Sequence, residues 1–304
     1  MHTKISFFPL LQAFWLSYTA VAAPYETRIF EAGTTFVAPE VHGTWALAPF
    51  VRTSPPDLTY IKTSNTGTGT VEVHVASGSS KYKTRIQETG STFLEEENGT
   101  WQLVDFDGDG KLDLIYIKTS NTGTGYVEVH VASGSSTYQT RILETATTFV
   151  EENNGQWQLI DFNGDGKLDL VYIKNQNTGT GYVEVHVASG ASNFQTRIQE
   201  VPTTFVEENN GVWRLVNYQH SGHLDLAYIK DQNAGSGKVE VHIASGASTY
   251  KTRVQEVPTT FGEETDGAWQ LIDWNADGVL DLVFIKTSNT GTGDVEVHVA
   301  SGAS

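Results

Sequence analysis

Residues 101–149 read W-Q-L-V-D-F-D-G-D-G-K-L-D-L-I-Y-I-K-T-S-N-T-G-T-G-Y-V-E-V-H-V-A-S-G-S-S-T-Y-Q-T-R-I-L-E-T-A-T-T-F, and close variants of this text recur along the chain at a period of 56 residues. Its first residue marks the period, because tryptophan recurs at this step at Trp45, Trp101, Trp157, Trp213 and Trp269. A fixed period in this range is typical of solenoids, propellers and arrays. Near-identical repeats also favour several copies of one site over a single unique site.

The two ends of the chain divide one repeat between them. The fifth copy stops at Ser304 without its final Y-x-T-R-I-x-E segment, and that segment stands alone at Tyr25–Glu31. A ring needs this arrangement because an N-terminal strand then completes the last unit, whereas an open solenoid would carry divergent polar caps. The sequence therefore predicts a closed ring in which Tyr25–Glu31 pairs beside Val295–Ala300.

Each repeat contains four strand-like runs, which in the second copy are Trp101–Phe106, Leu112–Lys118, Tyr126–Ala132 and Tyr138–Thr145. The second run is almost continuously apolar, as in a strand buried on both faces. The third alternates apolar and polar residues, and the fourth is the most polar. Four-stranded units repeated around an axis are the propeller pattern. We expect an all-β fold, a five-bladed β-propeller of four-stranded blades over residues 23–304.

The N-terminal residues 1–22 predict a secretory signal peptide. Lys4 precedes a largely apolar run, Ile5–Val21, and Ala20-Val21-Ala22 supplies the small-x-small cleavage pattern. No later segment is long enough to span a membrane. We therefore expect a secreted, extracellular protein with no membrane span.

The amino-acid composition limits the kinds of molecule that the protein is expected to bind. The formal net charge is −17, which disfavours nucleic acid, since its recognition depends on Lys and Arg neutralising phosphates. Cysteine is absent, so no disulfide framework holds the fold. Asn98-Gly99-Thr100 is an N-glycosylation sequon on a predicted loop and a candidate for glycan attachment.

A short acidic loop separates the first two strands of the second copy. Residues 105–113 read D-F-D-G-D-G-K-L-D, with oxygen side chains at positions 1, 3, 5 and 9 and glycine at position 6. This pattern predicts a calcium site, because Ca²⁺ takes six to eight oxygen ligands. The pattern recurs in the third and fifth copies. The predicted ligands are Asp105, Asp107, Asp109 and Asp113, then Asp161, Asn163, Asp165 and Asp169, and then Asp273, Asn275, Asp277 and Asp281.

Two copies have lost the acidic pattern. The fourth copy, Asn217–Asp225, keeps only the last carboxylate, and the first, Pro49–Asp57, carries Arg52 within the loop. Because the repeat tolerates this loss, we expect calcium to be structural rather than catalytic.

The repeated strand, D-x-[DN]-x-D-G-x-x-D loop and strand resemble the FG-GAP and VCBS repeats of integrin-alpha-like propellers. The chain also looks similar to the Psathyrella velutina type of fungal lectin, which is built of comparable calcium-bearing blades. The resemblance implies a propeller with calcium in its blades and an extracellular binding function. This chain departs from those relatives in having text for five blades, where they usually have seven.

The repeated polar residues argue against an enzyme, because a catalytic site should break the repeat with one blade-specific acid, base or nucleophile. Glu128, His130 and Arg141 have counterparts in every copy and are interpreted as inter-strand or inter-blade hydrogen bonds and ion pairs. No catalytic residue is assigned. The sequence predicts a multivalent carbohydrate-binding protein without enzymatic activity, directed at cell-wall or cell-surface glycans.

The candidate sugar-contact residues lie in the loop that enters each marker tryptophan. They are Glu152, Asn154 and Trp157 in one copy and Glu208, Asn210 and Trp213 in the next. The alternative is that the tryptophans pack between blades and the Asn-Gly pairs turn the chain. Three other functions stay open: a protein-protein adhesion propeller, a structural protein, and a glycoside hydrolase with two carboxylates in the central funnel.

Overall fold

The computed structural model describes residues 23–52 and 54–303 of the chain. They form twenty β-strands in five four-stranded antiparallel sheets, with four short 3₁₀ turns. The predicted signal peptide at residues 1–22 lies outside the described residues. Within the described part, the structure contains no helix with the length and apolar character needed to cross a bilayer.

Each sheet is one blade, and its strands follow one another outward from the centre of the ring. The N-terminal strand β1 (Arg28–Val37) belongs to blade 5. Blade 1 contains β2 (Gly43–Ala48), β3 (Asp57–Lys62), β4 (Thr70–Ala76) and β5 (Arg85–Leu94). Blade 2 contains β6 (Gly99–Val104), β7 (Asp113–Lys118), β8 (Tyr126–Ala132) and β9 (Arg141–Val150). Blade 3 contains β10 (Gly155–Ile160), β11 (Asp169–Lys174), β12 (Tyr182–Ala188) and β13 (Arg197–Val206). Blade 4 contains β14 (Gly211–Val216), β15 (Asp225–Lys230), β16 (Lys238–Ala244) and β17 (Arg253–Gly262). Blade 5 contains β18 (Gly267–Ile272), β19 (Asp281–Lys286), β20 (Asp294–Ala300) and β1.

The ring is closed by the N-terminal strand, as the divided repeat predicts. β1 pairs antiparallel with β20, with Glu31 opposite His298. Tyr25 anchors the start of the closing segment: its backbone N–H donates to the carbonyl of Ser301 at 2.7 Å, and its ring is fully buried. The predicted five-bladed β-propeller is confirmed.

The core consists of five clusters, each lying between two neighbouring blades. Between blades 2 and 3, the valines of β8 pack against Trp157 and Tyr172, whose rings stack at 4.1 Å. Phe149 meets the same indole edge-on at 5.2 Å, and the Arg197 guanidinium covers Phe149 at 4.5 Å. A cation over an aromatic face is attracted by the ring quadrupole. The repeated Trp, Tyr, Phe and Arg therefore join each blade to the next.

The repeated Glu, His and Arg form a second network near the outer rim. In blade 2, His130 lies between Glu128 at 3.1 Å and Glu144 at 3.5 Å. Arg141 pairs with Glu144 at 2.7 Å, and this contact holds the pKa of Glu144 below its usual range. These residues are engaged with one another in every blade, as the sequence interpretation expects.

The antiparallel course of each blade separates its loops onto two faces of the ring. One face carries the loops that join the first strand to the second and the third strand to the fourth. We call it the acidic-loop face, because residues 105–113 and their equivalents lie on it. The opposite face carries the loops that join the second strand to the third, and also the segments that enter the next blade. We call it the notch face.

Candidate functional site: acidic loops, central channel and inter-blade notches

The acidic loop of blade 2 gathers three carboxylates. Asp105, Asp107 and Asp109 each offer an oxygen within 4.8 Å of the others. The loop backbone shapes this cluster, since Asp105 accepts from the N–H groups of Gly108 and Gly110 at 2.9 and 3.0 Å. Both glycines have positive φ, which a side chain would strain. Like charges held this close, with hard oxygen donors, fit a divalent cation such as Ca²⁺.

The equivalent loop of blade 3 has the same backbone hydrogen bonds, and in blade 5, where Ala276 stands at the position of Gly108, the first donor is the next residue. Asp161 accepts from Gly164 and Gly166 at 2.8 and 3.0 Å, and Asp273 accepts from Asp277 and Gly278 at 3.0 Å each. The second and third predicted ligands of these loops also lie together, since the Asn163 amide donates to Asp165 at 3.1 Å and the Asn275 amide to Asp277 at 2.9 Å.

The last aspartate of each predicted ligand set also supports the loop from below. Asp113 is fully buried, and its two oxygens accept from the N–H groups of Phe106 at 2.8 Å and Gly134 at 2.7 Å. Burial raises the pKa of Asp113. Blades without the acidic pattern keep the same pair of hydrogen bonds, since Asp225 accepts from the N–H groups of Gln219 and Gly246. This explains why the last carboxylate survives there.

We keep Asp113, Asp169 and Asp281 among the proposed ligands. A carboxylate oxygen that accepts one hydrogen bond retains a second lone pair. The sequence alone did not show that these residues have a structural role independent of metal.

The two predicted sugar-contact tryptophans lie in the inter-blade core. Trp157 is 3% exposed and Trp213 is fully buried, and each stacks on a tyrosine of its own blade. Neither ring offers a face to a ligand. The alternative interpretation, packing between blades, therefore describes both residues.

The acidic and amide partners in the same loops are occupied within the protein. Glu152 pairs with Lys174 and Glu208 with Lys230. Asn154 donates to Glu152 and Asn210 to Glu208, both at 3.3 Å. Lysine ends the second strand of each blade, so this pairing fixes the entering loop to its own blade. The structure thus gives these predicted sugar contacts a structural role.

The central channel is a cavity of about 400 Å³ along the ring axis. Its polar lining comes from the innermost strands and includes Gln102, Gln158, Arg214 and Gln270. No Asp or Glu of the described residues lines it. The pair of carboxylates that a funnel-centred hydrolase would need is therefore absent from the described channel.

The notch face carries polar clefts between blades. The cleft between blades 2 and 3, of about 300 Å³, is lined by Glu97, Asn98, Thr119, Ser120 and Asn153, among others. Thr119 follows the last residue of β7 and donates to Asn153 of blade 3 at 2.9 Å. Asn98 of the sequon also lines this cleft, and its glycosylation stays a prediction.

Asp231 is one of several carboxyl groups that break the repeat on this face, together with Glu97, Asp266 and Asp294. The residue equivalent to Thr119 is a threonine or an asparagine in the other units but Asp231 in blade 4. Asp231 is 8% exposed, and its Oδ1 is buried without a hydrogen-bond partner. Burial, reinforced by the negative charge of Glu263, raises the pKa of Asp231 to about 6.

Glu263 is a second carboxylate with an altered environment. Its glutamate equivalents in blades 1, 2 and 3 each bind a threonine through both the backbone N–H and the hydroxyl, as Glu151 does with Thr122. In blade 4 the threonine is replaced by Ala234, so Glu263 accepts only the Ala234 N–H, at 2.6 Å. The substitution of alanine for threonine thus leaves Glu263 with more free acceptor capacity than its counterparts.

Asp231 and Glu263 were not among the site residues predicted from the sequence, although the aligned repeats distinguish Asp231. Reading the repeats in register shows T, T, N, D and T after the last lysine of the second strand, at Thr63, Thr119, Asn175, Asp231 and Thr287. What sets Asp231 apart from the other blade-specific acids of this face is that its side chain is buried.

Comparison with known proteins supports the repeat. Residues 105–172 match the family model of the FG-GAP-like repeat. This stretch runs from the acidic loop of blade 2 into β11 of blade 3 and so covers more than one period. The further likeness to fungal lectins rests only on the sequence resemblance.

One curated relative is Metallopeptidase AprA of Pseudomonas marginalis, 26% identical over 215 residues, or 65% of this chain. The chain spans 39% of that protein's length.

Three solved structures share the fold over nearly the whole chain. An endo-arabinase from Bacteroides thetaiotaomicron has a TM-score of 0.53 at 11% identity, covering 89% of this chain and 97% of that one. An alpha-L-arabinofuranosidase from Podospora anserina, in complex with cellotriose, has 0.52 at 8% identity, covering 92% and 96%. A GH62 hydrolase in complex with xylotriose has 0.50 at 9% identity, covering 91% and 98%. At such identities the likeness shows the fold.

These neighbours overturn two functional predictions. The sequence predicted a carbohydrate-binding protein without catalytic activity, by arguing from the scaffold and its repeated residues. The three structures named above are an endo-arabinase, an alpha-L-arabinofuranosidase and a hydrolase, and they contradict the prediction of a carbohydrate-binding protein without enzymatic activity, which is wrong. That prediction took the repetition of the polar residues as evidence against an enzyme, but a repetitive scaffold does not exclude a site in one blade.

Proposed function

We propose that this protein is a polysaccharide-active glycoside hydrolase whose site lies on the notch face of blade 4, around Asp231 and Glu263. The observation that carries the proposal is the buried, blade-specific Asp231 with its unpartnered Oδ1. Most glycosidases use two carboxyl groups, one protonated and one charged. When their environments give the two carboxyl groups different pKa values, the group with the higher pKa acts as the acid and the other stays charged.

Asp231 is the proposed general acid. With a pKa near 6, its carboxyl group keeps a proton at mildly acidic pH and can deliver it to the glycosidic oxygen as the bond to the leaving sugar breaks. Glu263 is the proposed second carboxylate, acting on the anomeric carbon directly or through a water molecule. The fold neighbours are an endo-arabinase, an arabinofuranosidase in complex with cellotriose and a hydrolase in complex with xylotriose, so we choose arabinan, arabinoxylan and xylan as the first polysaccharides to examine.

The test is release of reducing sugar from these three polysaccharides by the wild type, by Asp231→Asn and by Asp231→Thr. Both substitutions introduce a residue that the repeat already carries at this position, so we expect both variants to fold. Activity should fall at least about 100-fold, the usual contribution of general acid catalysis. In the wild type, activity should decline as the pH rises through about 6, because Asp231 then loses its proton.

A matched control is Asn175→Thr, at the equivalent position of blade 3, which should leave the rate unchanged. The proposal fails if the wild type releases no sugar from any of the three substrates, or if Asp231→Asn retains full activity.

We also propose that blades 2, 3 and 5 each bind one structural Ca²⁺ through the ligands predicted from the sequence. The convergent carboxylate oxygens of blade 2, and the shared backbone geometry and sequence pattern of the loops in blades 3 and 5, support this proposal. The protein is further proposed to be secreted and to meet its glycan partners outside the cell, for which residues 1–22 provide the support.

A further inference from the structure

A repeated glutamine fastens the innermost strands to one another around the central channel. Gln102 of blade 2 donates to the carbonyl of Leu159 at 2.9 Å and accepts the N–H of the same residue at 3.0 Å. Gln158 binds Leu215 in this way, and Gln270 binds Leu47. We call this pair of hydrogen bonds the glutamine clasp. It satisfies a backbone N–H and a backbone C=O that face the channel.

Arg214 stands where the clasp between blades 4 and 5 should be. A guanidinium has five donors and no acceptor, so it cannot receive a backbone N–H. Its NH1 instead turns back to Gln156 Oε1 at 2.8 Å and to the carbonyl of Trp213 at 2.7 Å. Within residues 23–52 and 54–303, no group hydrogen-bonds to its NH2 or Nε.

The partner residue of the missing clasp is Leu271. It pairs with Leu282 in the same register in which Leu159 pairs with Leu170, so its N–H faces the channel as that of Leu159 does. None of the described side chains accepts this N–H. A charged donor from blade 4 and a backbone donor from blade 5 therefore line the same part of the channel, with no acceptor supplied by the protein.

The surroundings of Arg214 are mostly apolar. Leu103, Ile160, Val212 and Leu215 line the same cavity, which contains no Asp or Glu among the described residues. This burial lowers the pKa of Arg214 to about 10, so the group still carries its charge at neutral pH. Arg214 is partly buried, and its NH1 is bonded within the protein, so its remaining N–H donors face the channel. An anion in the channel would accept from those donors.

We infer that the central channel binds one small organic carboxylate, held between the Arg214 guanidinium and the Leu271 N–H. Guanidinium and carboxylate groups match in geometry and pair through two parallel hydrogen bonds. The hydrocarbon part of the ligand would lie against the apolar lining. Ala46, which replaces the glutamine in blade 1, leaves additional space in the same cavity. This inference is independent of the proposed hydrolase site.

The test is isothermal titration and thermal unfolding with acetate, propionate and benzoate. The matching neutral amides and sodium chloride at equal ionic strength serve as ligand controls. We expect one carboxylate to bind per chain and to raise Tm by mass action. Asp231→Asn should bind as the wild type does, which separates this site from the hydrolase site.

The decisive variant is Arg214→Gln, because three blades already carry glutamine at this position and the substitution should restore the clasp to Leu271. It should fold and should lose at least tenfold in carboxylate affinity. Arg52→Gln, at an exposed arginine on the acidic-loop face, should bind normally. Unchanged affinity in Arg214→Gln, no binding of any of the three carboxylates, or equal stabilisation by chloride would overturn the inference.

Discussion

Arg52 of blade 1 lies 3.3 Å from the carboxylate of Asp105 in blade 2. Its loop is one of the two that lost the acidic pattern, and Arg52 occupies the position that is Gly108 in the next blade. The loop of blade 1, which lacks the acidic pattern, thus places the positive charge of Arg52 against the acidic loop of blade 2. Both side chains are partly exposed, so solvent screens their attraction.

Replacing Arg52 by alanine should change the free energy of unfolding by less than about 1 kcal/mol, as is usual for exposed ion pairs. It should also tighten calcium binding in blade 2, because a positive charge competing for Asp105 is removed. Calcium titration in a background of Asp161→Asn and Asp273→Asn would isolate that loop. Arg52→Lys keeps the charge and should resemble the wild type. Weaker calcium binding in Arg52→Ala would contradict the expected competition.

Replacing Asp109 by alanine should remove one of three bound calcium ions. The loss should lower Tm in calcium but not in EDTA, since a ligand of the native state stabilises it by mass action. Elemental analysis after dialysis against micromolar calcium gives the stoichiometry. Ser221 occupies the equivalent position in the loop of blade 4, which lacks the acidic pattern, so Ser221→Ala is the matched control. Finding no calcium in the wild type would refute the proposed sites.

Deleting residues 23–36 should open the ring and lower the free energy of unfolding by several kcal/mol. The deletion removes the buried rings of Tyr25 and Phe36 and most of the pairing between β1 and β20. Denaturant unfolding measures the effect. Tyr25→Phe should be nearly neutral, because the buried Tyr25 hydroxyl makes no close hydrogen bond, its polar neighbour being Tyr218, and because Phe194 occupies the equivalent position in blade 3. A truncated protein as stable as its parent would disprove closure by this strand.

Replacing Asp231 by asparagine should stabilise the protein at neutral pH while abolishing the proposed activity. Folding raises the pKa of Asp231 from 3.8 to about 6. Its contribution to stability is therefore fully present below about pH 4 and is lost as the pH rises through about 6. Relative to its value at pH 3.5, the stability of Asp231→Asn should gain about 3 kcal/mol over the wild type at pH 8. Urea unfolding at the two pH values measures this, and a pH-independent difference would show that the carboxyl group titrates normally.

The sequence by itself determined the architecture of this protein. The 56-residue step of Trp45 to Trp269 fixed five units, and the divided repeat fixed the pairing of β1 with β20. Both inferences succeed because a blade is a local unit whose strands are consecutive in the chain, so periodicity alone specifies which strands pair. The acidic loops were visible for the same reason, since all their predicted side-chain ligands lie within nine residues.

Only the tertiary structure decided what individual side chains do, because that depends on the neighbouring blade. Trp157 could be read as a sugar platform until the valines of β8 were seen to cover it. Asp231 differs from Thr119 by one letter, and its raised pKa comes from burial between elements that the sequence does not place around it. Arg214 gains its significance only because Leu271, 57 residues further on, presents an N–H to the channel that the arginine cannot accept. Repetition specified the ring, while desolvation and contacts across blade interfaces specified the chemistry of its exceptions.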